Sequence, residues 1–126
     1  MDRVLVDTHA LLWWLFDDPR LPAGIAVLID DRMTEAVVST VSLWEVAIKR
    51  SVGKLDAPDD LPGVLEEEEF TWLPVLPAHA WAVRTLPHHH RDPFDRMLIA
   101  QSRHEAIPLV SGDPHFGAYE VDVRWD

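Results

Sequence analysis

Four acids stand where a carboxylate has chemistry open to it. Asp7 closes the apolar run Val4-Leu5-Val6, Glu45 follows the run Ala36-Val37-Val38, Asp95 opens the apolar stretch after His88-His89-His90, and Asp113 follows Pro108-Leu109-Val110. Taken singly, each reads better as a structural acid. Asp7 suits an N-cap for a helix starting at Thr8. Ser42-Leu43-Trp44-Glu45 has the spacing of a capping box, Asp92-Pro93 with Asp95 reads as cap, first-turn proline and third-position acid, and Asp113-Pro114 starts a turn. Two of them carry a second signal. Ile48 lies three residues after Glu45, and Leu98 and Ile99 lie three and four after Asp95, so both acids border apolar helical stripes. A carboxylate turned towards a core edge has to be paired or bound to a cation, because desolvating it alone is expensive.

The elements that must position these acids alternate. Val4–Val6 reads as a strand, Thr8 to Phe16 as a helix with Leu11, Leu12, Trp14 and Leu15 on one face, and Ala23 to Asp31 as a second short helix. A buried strand follows over Ala36–Thr40, then a helix from Ser42 towards Gly53, a glycine stop. Val64 to Glu69 is a short acidic helix or turn, Phe70 to Val75 a third strand, and Ala78 to Leu86 a helix with Trp81 and Val83 as apolar contacts. Phe94 to Glu105 is the next helix, Pro108–Val110 a strand, and Val121 to Trp125 an edge strand. Such alternation predicts an α/β sandwich of three layers, with a central, mainly parallel sheet flanked by helices. In such a sheet ligands bind beyond the carboxyl ends of the strands, which is where this reading gathers Asp7, Glu45, Asp95 and Asp113.

Four converging carboxylates repel, and a hard divalent cation relieves them. Mg²⁺ or Mn²⁺ suits an all-oxygen set better than zinc does, and the reaction it best supports is phosphodiester hydrolysis, in which the ion polarises water and stabilises charge on the phosphate. Composition sets the other bounds. At 126 residues the chain is expected to be one domain, residues 1–126, and 48% hydrophobic residues with six Trp suffice for a core. It contains no cysteine, no apolar run long enough for a membrane span and no signal-peptide layout, so a soluble cytoplasmic protein with no membrane partner is expected. Eleven Lys and Arg against 22 Asp and Glu leave a net charge of −11, the reverse of the usual nucleic-acid footprint. Either a cation neutralises a cluster of acids or a basic protein partner covers it; a solvated acidic surface, with Glu66–Glu69 at its centre, is the plainer reading.

"VLVDTHALLWWL", "STVSLWEVAIKRSVGKL", "HHRDPFDRMLIAQS" and "SGDPHFGAYEV" resemble, in order and spacing, the PIN-domain ribonucleases that serve as VapC-type toxins of bacterial and archaeal toxin–antitoxin pairs. The resemblance spans nearly the whole chain; its "DPFDR" and "SLWE" blocks together are specific, while DTH alone is weak. It implies a PIN-like fold, an RNA substrate, a cognate antitoxin and a homodimer. It also implies that Asp7, Glu45, Asp95 and Asp113 match the family's acidic metal-binding quartet, with Ser111 matching the Ser or Thr near the fourth acid. The fourth position varies most within such families.

Several other residues have two readings each. Thr8 and Ser42 are helix-start hydroxyls that either cap or support phosphate and metal-held water. Arg96 is either a phosphate contact or half of a surface ion pair. His88–His90 read as a solvated loop or a substrate contact before metal ligands, since adjacent residues do not share a helix face. Lys49, Arg50 and Lys54 form either a basic strip for an RNA backbone or a charged solvent face. Trp13 and Trp14, being neighbours, are expected to leave one indole exposed for a partner or a base. Two rival functions remain. A receiver-like or phosphatase-like phosphoryl-transfer domain also gathers acids at a sheet edge, but Asp7-Thr8-His9 lacks a second Asp and there is no phosphate-binding glycine loop. A non-catalytic PIN-like binding module fits poorly with four acids present.

Overall fold

The β-branched and leucine-rich runs do become strands, and all five pair in parallel. The computed structural model describes residues 2–89 and 91–126. In chain order they form β1 (Asp2–Val6), α1 (Thr8–Leu15), α2 (Ala23–Asp30), β2 (Thr34–Ser39), α3 (Thr40–Ser51), α4 (Leu61–Glu67), β3 (Thr71–Leu73) and α5 (Pro77–Ala82). A 3₁₀ turn (Val83–Thr85), α6 (Pro93–Glu105), β4 (Leu109–Val110), a second 3₁₀ turn (Pro114–Ala118) and β5 (Val123–Arg124) complete the order. The sheet runs β3-β2-β1-β4-β5. Leu5 faces Val37 on one side and Leu109 on the other, while Val38 faces Trp72 and Val110 faces Arg124. Chain order therefore reverses between β1 and β4, and a crevice at their carboxyl ends is the place such sheets offer to a ligand.

Period-two alternation divides the core between two faces. Val4, Val6, Val38 and Val110 pack with Leu11, Ile25, Val46 and Leu65 on one side, whereas Leu5, Val37 and Leu109 pack with Val41, Leu98, Ile99 and Phe116 on the other. Helix α3 contributes to both, Val46 to the first and Val41 to the second, so its register against the sheet is held from two sides. That register is what aims Glu45.

Local chemistry explains most helix ends. Asp7 caps α1, with Oδ1 accepting from Ala10 N at 2.8 Å. Asp92 caps α6, with Oδ1 accepting from Phe94 N at 2.8 Å and Asp95 N at 3.1 Å, and Pro93 fills the first position, where no N–H is needed. Gly53 adopts φ 76° just past the end of α3, a conformation that costs glycine nothing. The expected start of α3 at Ser42 needs correction. Ser39 is the cap, its hydroxyl accepting from Val41 N at 3.1 Å, so Ser42 and Glu45 lie inside the helix and form no capping box. Two aromatic expectations also change. Trp81 is 68% exposed on α5 rather than an apolar contact. Trp13 and Trp14 are both half-buried against the first core face. Trp13 packs on Trp125, and Trp14 on Phe70 while its Nε1 donates to Asp30 Oδ1 at 2.9 Å. Neighbouring indoles are both covered because α1 is flanked on two sides, by Asp30 and Phe70 at one and by the C-terminal Trp125 at the other.

Candidate functional site

The carboxyl end of β1 carries the most constrained acid. Asp7 is 5% exposed, its own N–H donates to Val110 O at 3.1 Å, and its carbonyl accepts from Leu11 N, so the residue is pinned between β4 and the first turn of α1. Burial pushes its carboxyl up to about 6; the Ser111 hydroxyl, the Ala10 N–H and the charge of His9 pull against that rise, and the charge of Asp95 adds to it. Asp95 is half-buried, third in α6, and its field reaching Asp7 brings the start of α6 and the end of β1 to the same edge.

Glu45 reaches that edge from the second turn of α3 and is 3% exposed. Both of its oxygens are engaged. Oε1 lies 2.6 Å from Thr8 Oγ1, and Oε2 lies 2.5 Å from Lys49 Nζ. Thr8 Oγ1 is also 3.0 Å from Ser42 Oγ. A hydroxyl has one proton to give; that of Thr8 goes to the charged acceptor, and Ser42 donates back to Thr8. The Lys49 ammonium is held charged: burial works against it, but the bond to Glu45 and the charges of Glu45, Asp92 and Asp95 outweigh burial and raise its pKa. Lys49 is thus bonded to Glu45 and lies in the field of two acids at the start of α6.

Asp113 follows β4 and is half-buried. Its Oδ1 accepts from His115 N at 2.9 Å and lies 2.8 Å from His115 Nδ1, and its own N–H donates to Ser111 Oγ at 3.1 Å. Ser111, 2% exposed, therefore joins Asp113 to Asp7. These links connect the four acids in pairs, Asp7 with Asp95 by charge, Asp7 with Asp113 through Ser111, and Glu45 to the start of α1 through Thr8. Among the described residues, no three of the four acids bring ligand atoms within 4.8 Å of one another.

A different trio does approach that closely: His79, His104 and Glu105, at the far end of α6. Its chemistry disfavours a cation. His79 Nδ1 accepts from Leu76 N at 3.0 Å, so the ring proton sits on Nε2, which faces Glu105 Oε2 at 3.3 Å as a donor rather than a ligand. The trio reads as the cap that ties α5 to α6.

Three groups read two ways in the sequence have these surroundings. Arg96 is 8% exposed, and its guanidinium donates to Pro87 O at 2.7 Å and to Val83 O and Leu86 O at 3.3 Å, carbonyls of the 3₁₀ turn and the loop that follows it. The basic strip along α3 is matched by acids, Lys49 with Glu45 and Arg50 with Asp59. His88 and His89 are exposed, His89 resting edge-on against Tyr119, while His90 lies outside the described residues. Sequence reading missed Lys49 as a partner of Glu45, although the i, i+4 spacing was a signal for it.

The residues fit a hard divalent cation by their donor chemistry. Asp7 is a buried carboxyl whose charge is disfavoured by burial and it shares an edge with Asp95; the Ser111 hydroxyl bonds Asp7, and the Thr8 hydroxyl bonds Glu45, so a hydroxyl oxygen lies beside each of these two acids. A family model described as PIN domain matches residues 4–121. No curated protein matches the sequence. Among solved structures, the fold is similar to a chain in the crystal structure of VapBC2 from Rickettsia felis bound to a DNA fragment from their promoter. That match has a TM-score of 0.73 and 13% identity, covering 98% of this chain and 99% of that one. At such identity the likeness speaks for the fold.

Proposed function

The chain belongs to the PIN-domain family, and from that premise we propose that residues 1–126 form one PIN domain acting as a metal-dependent endoribonuclease, the toxin of a toxin–antitoxin pair. The observation that carries this reading is Asp7, a buried carboxyl at the point where strand order reverses, raised to about 6 and within the field of Asp95. Asp7, Glu45, Asp95 and Asp113 would hold Mg²⁺ or Mn²⁺. Such an ion, when bound, supplies a polarised water and charge stabilisation for phosphodiester hydrolysis.

The chain's own residues do the rest. Thr8 and Ser42 fix the rotamer of Glu45, so that its carboxylate is aimed before substrate arrives. Ser111 orients Asp7 and, through the Asp113 N–H, the loop that carries the fourth acid. The first turn of α1 directs N–H groups towards the same edge, a favourable setting for phosphate.

The substrate is RNA, and the partner is a cognate antitoxin whose basic or aromatic segment covers the acidic cleft. The net charge of −11 and the fold shared with a chain of a VapBC complex support this partner. A homodimer is supported by Trp44, Ile48 and Val52, spaced i, i+4, i+8 along and just past α3 and all exposed. Among the described residues no helix is long and apolar enough to cross a membrane, and we assign the protein to the cytoplasm. The test is cleavage of RNA by antitoxin-free protein with Mg²⁺ or Mn²⁺ against EDTA. Cleavage that EDTA and both Asp7→Asn and Asp95→Asn abolish is the expected result; cleavage that survives EDTA overturns the metal reading.

A further inference from the structure

We infer that Lys49 is a resident counter-ion of the acidic cluster which competes with the divalent cation for Glu45, and so sets how much metal the protein needs. The inference rests on the reading of Glu45 as a metal ligand. Its own basis is geometric. The Nζ lies 2.5 Å from Glu45 Oε2, 6.0 Å from the centre of the Phe94 ring at the start of α6, and within the field of Asp92 and Asp95. One ammonium thus offsets acids from α3 and from the first turn of α6.

The competition follows from charge, since each carboxylate oxygen has lone pairs for more than one partner. Oε1 of Glu45 accepts from Thr8 and Oε2 from the Lys49 ammonium, so a cation that takes Glu45 meets the lysine charge at the same carboxylate. Two cations at hydrogen-bond distance from one carboxylate repel each other strongly in a site only 3% exposed, so one must leave. Lysine is able to leave. Its side chain is 30% exposed and also lines a groove of about 490 Å³ with His9, Trp13, Lys54 and Asp56, into which a flexible four-carbon stem can turn. Without the ammonium, a buried Glu45 would be left with one hydroxyl donor, which explains why the residue is useful before metal binds. Lys49 is a positioning residue in this account, acting through Glu45.

The test is Mn²⁺ titration of antitoxin-free protein by calorimetry, together with melting temperature at zero and saturating Mn²⁺. Lys49→Met should bind Mn²⁺ about tenfold more tightly than the parent, a factor equal to about 1.4 kcal/mol, and should melt lower without Mn²⁺ but not with it. Lys49→Arg, whose fork grips a carboxylate with two bonds, should bind Mn²⁺ more weakly. A purely structural Lys49 would lower melting equally in both conditions and leave affinity unchanged, which overturns the inference. If Asp7→Asn abolishes Mn²⁺ uptake while both Lys49 variants bind as the parent does, only the role of Lys49 falls. If the parent and Lys49→Met both take up no Mn²⁺, the metal reading and this inference fall together.

Discussion

Thr8 Oγ1 lies 2.6 Å from Glu45 Oε1, across 37 residues of chain. The pair joins the start of α1 to the second turn of α3, and the contact exists because β1 and β2 lie side by side with Leu5 opposite Val37. Thr8→Val keeps the shape and removes the donor. It should cost about 1–3 kcal/mol, the range for a buried acceptor losing its partner, and should lower RNA cleavage, while Thr8→Ser restores both. Urea denaturation and a cleavage assay on the three proteins check this.

The Asp7 carboxyl is raised from 3.8 to about 6, chiefly by burial. An acid with a folded-state pKa above its unfolded value binds more protons folded than unfolded between the two, so its contribution to stability falls as pH rises through that window. The shift corresponds to about 3 kcal/mol, fully expressed above pH 6. Asp7→Asn should therefore match the parent near pH 4 and be more stable by up to that amount near pH 7 in EDTA. Denaturation curves at the two pH values that show no divergence would remove the buried-acid account.

Arg96 answers three carbonyls in the segment before α6. Arg96→Met should destabilise by about 2–4 kcal/mol, since bonds to a charged donor are lost and buried acceptors are left behind. KM for RNA should stay the same at a temperature where the variant is folded. A raised KM with unchanged melting would return Arg96 to the substrate.

Trp44 is 61% exposed and rests edge-on against Phe94. Placing a charge on this apolar strip by Trp44→Glu should shift the proposed homodimer towards monomer, with loss of one aromatic contact worth about 0.5–1.5 kcal/mol to the fold. Sedimentation velocity at several concentrations reads the outcome, and an unaltered dimer would move the interface elsewhere.

The alternation of elements, the caps at Asp7 and Asp92 and the stop at Gly53 were legible in the sequence because each is decided within a few residues, by φ/ψ preference and by hydrogen bonds to nearby N–H groups. Asp7 at the end of β1 and Asp113 just after β4 were also within reach, since their places follow from strand order alone. Which atoms answer Glu45 was not. Ser39 rather than Ser42 caps α3, a difference of three residues that turns Glu45 from a cap partner into a buried side chain facing Thr8 and Lys49. The direction of the Arg96 guanidinium and the cover over Trp13 and Trp14 likewise depend on segments distant in the chain, among them Pro87, Phe70 and Trp125. Residue order determines backbone periodicity and local caps; only the packed sheet, by choosing which strands lie adjacent and in what register, decides the partner of a buried charge.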